Sequence, residues 1–166
     1  MGRRLGPLLG TMALLLALDQ ALKAWVRAAI PLHRSTVLVP GLLELTHVEN
    51  RGVSFSFLGD MTDGIRVPLL VSVSLVAVVL LSAYWLRHRR QMHAMTETAF
   101  VLILPGAVGN LIDRFAFGTV TDFLHFHFYD TSFFVNNLAD IFISGGVVAY
   151  LLATLLEHRH PEPPTP

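Results

Sequence analysis

The chain has 166 residues, 53% of them hydrophobic and only 14% charged, with a mean hydropathy of +0.57; a soluble domain carries about 25% charged residues. The deficit lies in long apolar runs and points to an integral membrane protein. A formal net charge of zero gives no footing for nucleic acid, and the absence of cysteine excludes a disulfide framework, a thiolate metal site and a cysteine nucleophile.

Four segments are apolar over the ~20 residues needed to cross a bilayer: Leu5–Ala28, Val67–Leu86, Ala94–Ile112 and Leu138–Leu156. The opening "MGRR" and "LLGTMALLLAL" have the charge and apolar run of a signal peptide. No small-residue cleavage site follows and the apolar character continues past Asp19, so the segment reads as a retained first span. In the connection 29–66, "STVLVP" and "LLELTHV" have strand composition and are separated by Pro40 and Gly41. In the connection 113–137, "FLHFHFY" alternates, with Phe123, His125 and His127 on one side and Leu124, Phe126 and Phe128 on the other. A small sheet resting on the membrane surface is expected. The closing "PEPPTP" predicts a loose tail over 157–166.

The twelve basic residues divide evenly between the two ends of such a bundle. Arg3, Arg4, Arg87, Arg89, Arg90 and Arg159 fall in short flanks, whereas the others are spread over the long connections or the adjoining helix ends. The density in short flanks predicts both termini in the cytoplasm. Spans one and three then run outward and spans two and four inward. Asp19, Lys23, Asn110, Asp113, Arg114, Asn137 and Asp140 converge on the outer face together with both long connections.

The stretch "VTDFLHFHFYDTSFFVNNLAD", Val120–Asp140, holds three aspartates, two histidines and two adjacent asparagines. A carboxylate within a membrane segment costs about 2.5–3.5 kcal/mol at mid-membrane on insertion scales, which makes Asp140 a functional candidate. Its simpler role is to complement the positive end of the fourth helix, with Asn137 near the cap. That role leaves Asp122, a second carboxylate just outside the membrane, without a purpose. Two close carboxylates cannot both ionise freely, so together they supply a general base and a general acid. Asp19 and Lys23 have the favourable i, i+4 order of a helical ion pair and read as structural support. "PGAVGN" gathers small residues for close helix packing. His125-x-His127 between Asp122 and Asp130 has metal-ligand chemistry, but the spacing is common and no HExxH accompanies it. The reading therefore includes neither metal nor cofactor.

Five segments in order give the chain a family resemblance. "DQALK" (Asp19–Lys23) looks like DQxxK, and "NRGVSF" (Asn50–Phe55) is similar to NxGxAF, with Ser54 in place of alanine. "GAVGNLIDR" (Gly106–Arg114) resembles GGAxGNxxDR, Pro105 standing where the first glycine is usual. "VTDF" (Val120–Phe123) matches VxDF, and "NNLAD" (Asn136–Asp140) resembles FNxAD, with Asn136 replacing phenylalanine. Together they resemble the lipoprotein signal peptidase (signal peptidase II) family of bacterial membrane aspartic endopeptidases.

The resemblance implies four transmembrane helices, a small extracytoplasmic β-cradle and a mobile periplasm-side helix over the site, the last two within 29–66. It implies residence in the bacterial cytoplasmic membrane and cleavage of a diacylglyceryl-prolipoprotein just before the lipidated cysteine. The catalytic pair carries over to Asp122 and Asp140. Asn50, Gly52, Asn110, Arg114 and Asn137 are expected at the substrate, and Asp19, Lys23 and Asp113 in support. Membrane lipids and the precursor are the expected partners of a monomer forming a single domain over 1–166. The alternative classes are a small proton-coupled transporter or channel using Asp19, Asp122 and Asp140 as relays, and a non-catalytic assembly factor.

Overall fold

A computed structural model describes residues 5–52 and 61–159. The elements run α1 (Leu5–Ala29), β1 (Ser35–Val39), β2 (Leu43–Asn50), α2 (Asp63–His88), α3 (Ala94–Phe117), β3 (Val120–Phe128), β4 (Thr131–Asn136) and α4 (Leu138–Arg159). All four helices contain stretches long and apolar enough to span a bilayer. Their surfaces agree with that environment: Leu14, Val73, Leu80, Leu151 and Leu155 are all more than half exposed. Apolar side chains in such numbers are stable only against lipid.

The polar interior is equally informative. Asp19, Lys23, Asp113 and Asn137 have no exposed surface. α3 is the central helix and packs against α1, α2 and α4. Its glycines allow the close approach to α4 and α1. A Cβ on Gly106 would lie 2.5 Å from the Ala139 carbonyl oxygen, and one on Gly109 would lie 2.6 Å from Asp19 Oδ2. Both distances are far inside van der Waals contact, so these two positions admit only glycine without movement.

At one end of the bundle the strands form a four-stranded antiparallel sheet in the order β1-β2-β3-β4. Val26 of α1 and Ile30 just beyond its end pack with Phe123, and Leu45, Leu124 and Leu138 close around them, which seats the sheet on the helices. A second apolar cluster, Leu8, Trp85, Phe100, Val101 and Leu104, fills the far end. One hairpin of the sheet comes from each long connection. The cradle is thus not confined to 29–66, because the alternating pattern of β3 pairs it with β2. The helix expected over the site, and the Ser54–Phe55 part of its motif, lie outside the described residues.

Two boundaries differ from those expected. α3 runs to Phe117 instead of stopping at Ile112, since its terminator is Gly118, left-handed at φ +74° and donating its N–H to the Arg114 carbonyl at 3.0 Å. Asp113 and Arg114 are therefore helical residues, one α-turn before the chain reverses. α4 extends through 157–159, where the sequence predicts a loose tail; residues 160–166 lie outside the described residues.

Candidate active site

The register between β2 and β3 places Val48 opposite Asp122 and Asn50 opposite Val120. Residues two apart on a strand share a face, so Asn50 lies one diagonal step from Asp122. Its amide donates to Asp122 Oδ2 at 2.8 Å. From the other side Asn137, between β4 and α4, donates to Asp122 Oδ1 at 2.6 Å. Asn137 also caps α4, its Oδ1 accepting the Asp140 N–H at 2.9 Å. Asp140 Oδ1 in turn accepts the Asn110 amide of α3 at 2.7 Å. Two carboxylates and three asparagines from β2, β3, α3 and α4 thus form one connected group.

The direction of each asparagine amide is fixed by what its carbonyl oxygen accepts. Asn50 Oδ1 takes the Gly52 N–H at 2.8 Å in a local turn. Gly52 has φ +80°, and a Cβ there would meet Leu70 at 2.7 Å. Asn110 Oδ1 takes Lys23 Nζ at 2.9 Å. With every oxygen engaged, every NH₂ faces a carboxylate. Asn50, Gly52, Asn110 and Asn137 are brought together around the two aspartates, the three asparagine amides directed at the carboxylates and the Gly52 N–H at Asn50. Arg114 is half-buried and within electrostatic reach of Asp122, Asp140 and Asp113.

Asp19, Lys23 and Asp113 lie beneath this group. Lys23 Nζ stands 3.0 Å from Asp19 Oδ2 and 3.4 Å from Asp113 Oδ2. Asp19 Oδ1 accepts the Ala139 N–H at 2.9 Å, and Asp113 Oδ2 accepts the Thr121 N–H at 3.0 Å. Three contributors were not singled out from sequence. Gln20 Nε2 donates to Asp19 Oδ2 and to the Gly109 carbonyl, each at 3.1 Å. Arg27 Nη1 donates to Thr121 Oγ1 at 2.8 Å and lies 3.5 Å from Asp113. Arg27 follows Lys23 by four positions and Asp19 by eight, so helical spacing alone carries it to the same face.

His125 and His127 lie on the sheet, their rings stacked 5.2 Å apart. His125 Nδ1 is 3.3 Å from Glu44 Oε2, directly across the β2–β3 register. Hydrogen bonds from Ser35 and His125 hold the Glu44 carboxyl below its ordinary range. These contacts are cross-strand pairing. Among the described residues no three His, Asp or Glu side chains gather as metal ligands.

The two carboxylates differ in setting. Asp122 is 2% exposed, whereas Asp140 is partly open. Burial pushes the Asp122 carboxyl up to about 6; the Asn50 and Asn137 amides oppose the shift and the Asp140 charge adds to it. A carboxyl ¹³C titration in detergent is therefore expected to give Asp122 a midpoint near pH 6. Amide donors favour the ionised form, so Asn50→Ala should move that midpoint upward. A downward movement, or none, would show that Asn50 does not hold the carboxylate.

The signal peptidase (SPase) II family model matches residues 11–156. A lipoprotein signal peptidase of Bartonella henselae is 40% identical over 144 residues, covering 86% of this chain and 85% of the relative. One from Gloeobacter violaceus is 41% identical over 155 residues, covering 92% and 84%. Two solved structures share the fold, both described as bacterial membrane enzymes solved by the in meso method. One, at 2.3 Å resolution, has a TM-score of 0.83 at 20% identity over 99% of this chain and 97% of its own. The other, at 1.9 Å, has a TM-score of 0.81 at 22% identity over 93% and 96%. Four bilayer-spanning helices beside such neighbours make this a multi-pass membrane protein, and the match along nearly its whole length decides its kinship: the chain belongs to the signal peptidase II family of membrane aspartic peptidases.

Proposed function

We propose that the protein removes the signal peptide from diacylglyceryl-modified prolipoproteins, cutting just before the lipidated cysteine, with Asp122 and Asp140 as its catalytic pair. The observation that carries this reading is the convergence of amide donors on two carboxylates of unlike burial at the sheet end of the bundle. It is supported by family membership and by relatives named lipoprotein signal peptidases.

One carboxylate acts as base and takes a proton from water as its oxygen attacks the scissile carbonyl carbon. The other, as the acid, protonates the carbonyl oxygen, giving a neutral gem-diol. Collapse breaks the C–N bond: the leaving nitrogen takes a proton from the carboxylic acid formed in the first step, and the other aspartate takes back a proton from the gem-diol hydroxyl, restoring both groups to their starting forms. The products are a signal peptide ending in a carboxylate and a lipoprotein beginning with an amine. Asp122, with its proton affinity raised by burial, suits the acid; Asp140, more open to water, suits the base. Arg114, beside both carboxylates, offers planar donors to the extended substrate backbone. The diacylglyceryl chains stay in the bilayer while the peptide enters between the exposed apolar helices.

On this reading the site faces the extracytoplasmic side of the bacterial cytoplasmic membrane, with both termini in the cytoplasm, the orientation that the arginine-dense flanks favour. A single cysteine at Asp130, in the exposed β3–β4 turn, should react with an impermeant thiol reagent on intact spheroplasts. One at Arg90, between α2 and α3, should be protected. The reverse pattern would place the dyad on the wrong side of the membrane for this substrate.

Asp122→Asn and Asp140→Asn should each insert and fold normally and lose at least about 99% of cleavage, since an amide can neither accept nor release the proton. Turnover above a few per cent in either folded variant would remove that residue from the reaction. Ion flux without any cleavage in the wild-type protein would favour the transporter reading instead.

A further inference from the structure

The Lys23 ammonium is fully buried and has three N–H donors, each with an acceptor: Asp19 at 3.0 Å, Asp113 at 3.4 Å and Asn110 at 2.9 Å. All three contacts lead to the dyad. Asp19 accepts the N–H of Ala139, the residue immediately before Asp140. Asp113 accepts the N–H of Thr121, the residue immediately before Asp122. Asn110 passes from Lys23 to the Asp140 carboxylate itself. Docking α1 on α3 needs a single ion pair; a cation joined by separate bonds to the peptide before each aspartate does more.

Resting on the two-aspartate reading above, we propose that Lys23 is a positioning residue for the reaction. By drawing Asp19 and Asp113 together it sets the separation of the Ala139–Asp140 and Thr121–Asp122 backbones. By occupying Asn110 Oδ1 it turns that amide toward Asp140. Lys23 touches neither carboxylate of the dyad and acts through these neighbours. Gln20, donating to Asp19 and Gly109, and Arg27, holding Asp113 and Thr121, complete the frame.

Lys23→Met alone leaves Asp19 and Asp113 buried with too little positive charge and can fail to fold. In Lys23→Met/Asp19→Asn one charge of each sign is removed, and the new amide oxygen still accepts the Ala139 N–H. This double variant is expected to recover the wild-type unfolding temperature in detergent while kcat falls about 100-fold with KM unchanged, the effect of an ångström-scale misplacement of reacting groups. Asn110→Ala keeps every ion pair and removes the amide that joins Lys23 to Asp140; it should lower kcat about 10-fold at constant KM, which a group acting only in substrate binding would not do. It decides the matter alone if the double variant does not fold. Wild-type kcat in the folded double variant, or a raised KM at constant kcat in Asn110→Ala, would overturn the proposal. Asp122→Asn in the same assay separates the two readings. Turnover there removes the dyad itself, whereas an inactive Asp122→Asn beside a fully active double variant removes only the role of Lys23.

Discussion

A lysine with no exposed surface, held between two aspartates equally hidden, is the constraint on which the rest depends. Each buried ion costs several kcal/mol to desolvate, so such a cluster persists only when every donor and acceptor finds a partner. Here they do. The lysine's three hydrogens are taken, and the aspartate oxygens also accept two backbone N–H groups and the Gln20 amide. The partners come from α1, α3, β3 and α4, segments up to 120 residues apart in the chain. The cluster therefore specifies one arrangement of helices and sheet where apolar packing alone would tolerate many, because lipid gives helices no hydrophobic reason to choose a partner. The tight contacts at Gly106 and Gly109 accompany it: α3 must lie close enough to α1 for its Asn110 and Asp113 to reach Lys23.

What this frame supports is an uneven pair of carboxylates. Asp122 comes from a strand and is enclosed; Asp140 comes from the third position of a capped helix and is partly open. Asn137 serves both, capping the helix with its oxygen and holding Asp122 with its nitrogen. One side chain thereby couples the start of α4 to the proton affinity of Asp122. Asparagine suits these positions because it is neutral and has one acceptor and two donors. A carboxylate there would add like charge, and an apolar residue would leave the aspartates unsolvated.

Much of this was legible in the sequence for simple reasons. Runs of ~20 apolar residues have few alternatives to a membrane helix, and period-two alternation in "FLHFHFY" marked β3. The paired aspartates stood out because charge in such a chain is expensive. The ends of α3 and α4 were harder to place. Asp113 and Arg114 look like the start of a loop when polarity is the guide, yet the helix ends where Gly118 turns left-handed. Gln20, Arg27 and Thr121 were missed because their importance lies in partners distant in sequence, such as Asp113 for Arg27. The asparagines were expected at the substrate. Their carbonyl oxygens accept from Gly52, Lys23 and the Asp140 N–H, and pairings of that kind follow from the register and helix contacts, which composition does not contain.

On the proposed reading, this frame holds a peptidase for lipid-modified precursors. The most direct measurement is to give the purified wild-type protein a diacylglyceryl-modified prolipoprotein and its unmodified counterpart, and to locate any cut by mass spectrometry. Cleavage of the modified precursor alone is expected, at the bond immediately before the lipidated cysteine. Cleavage of neither precursor, equal cleavage of both, or a cut elsewhere in the chain would contradict it.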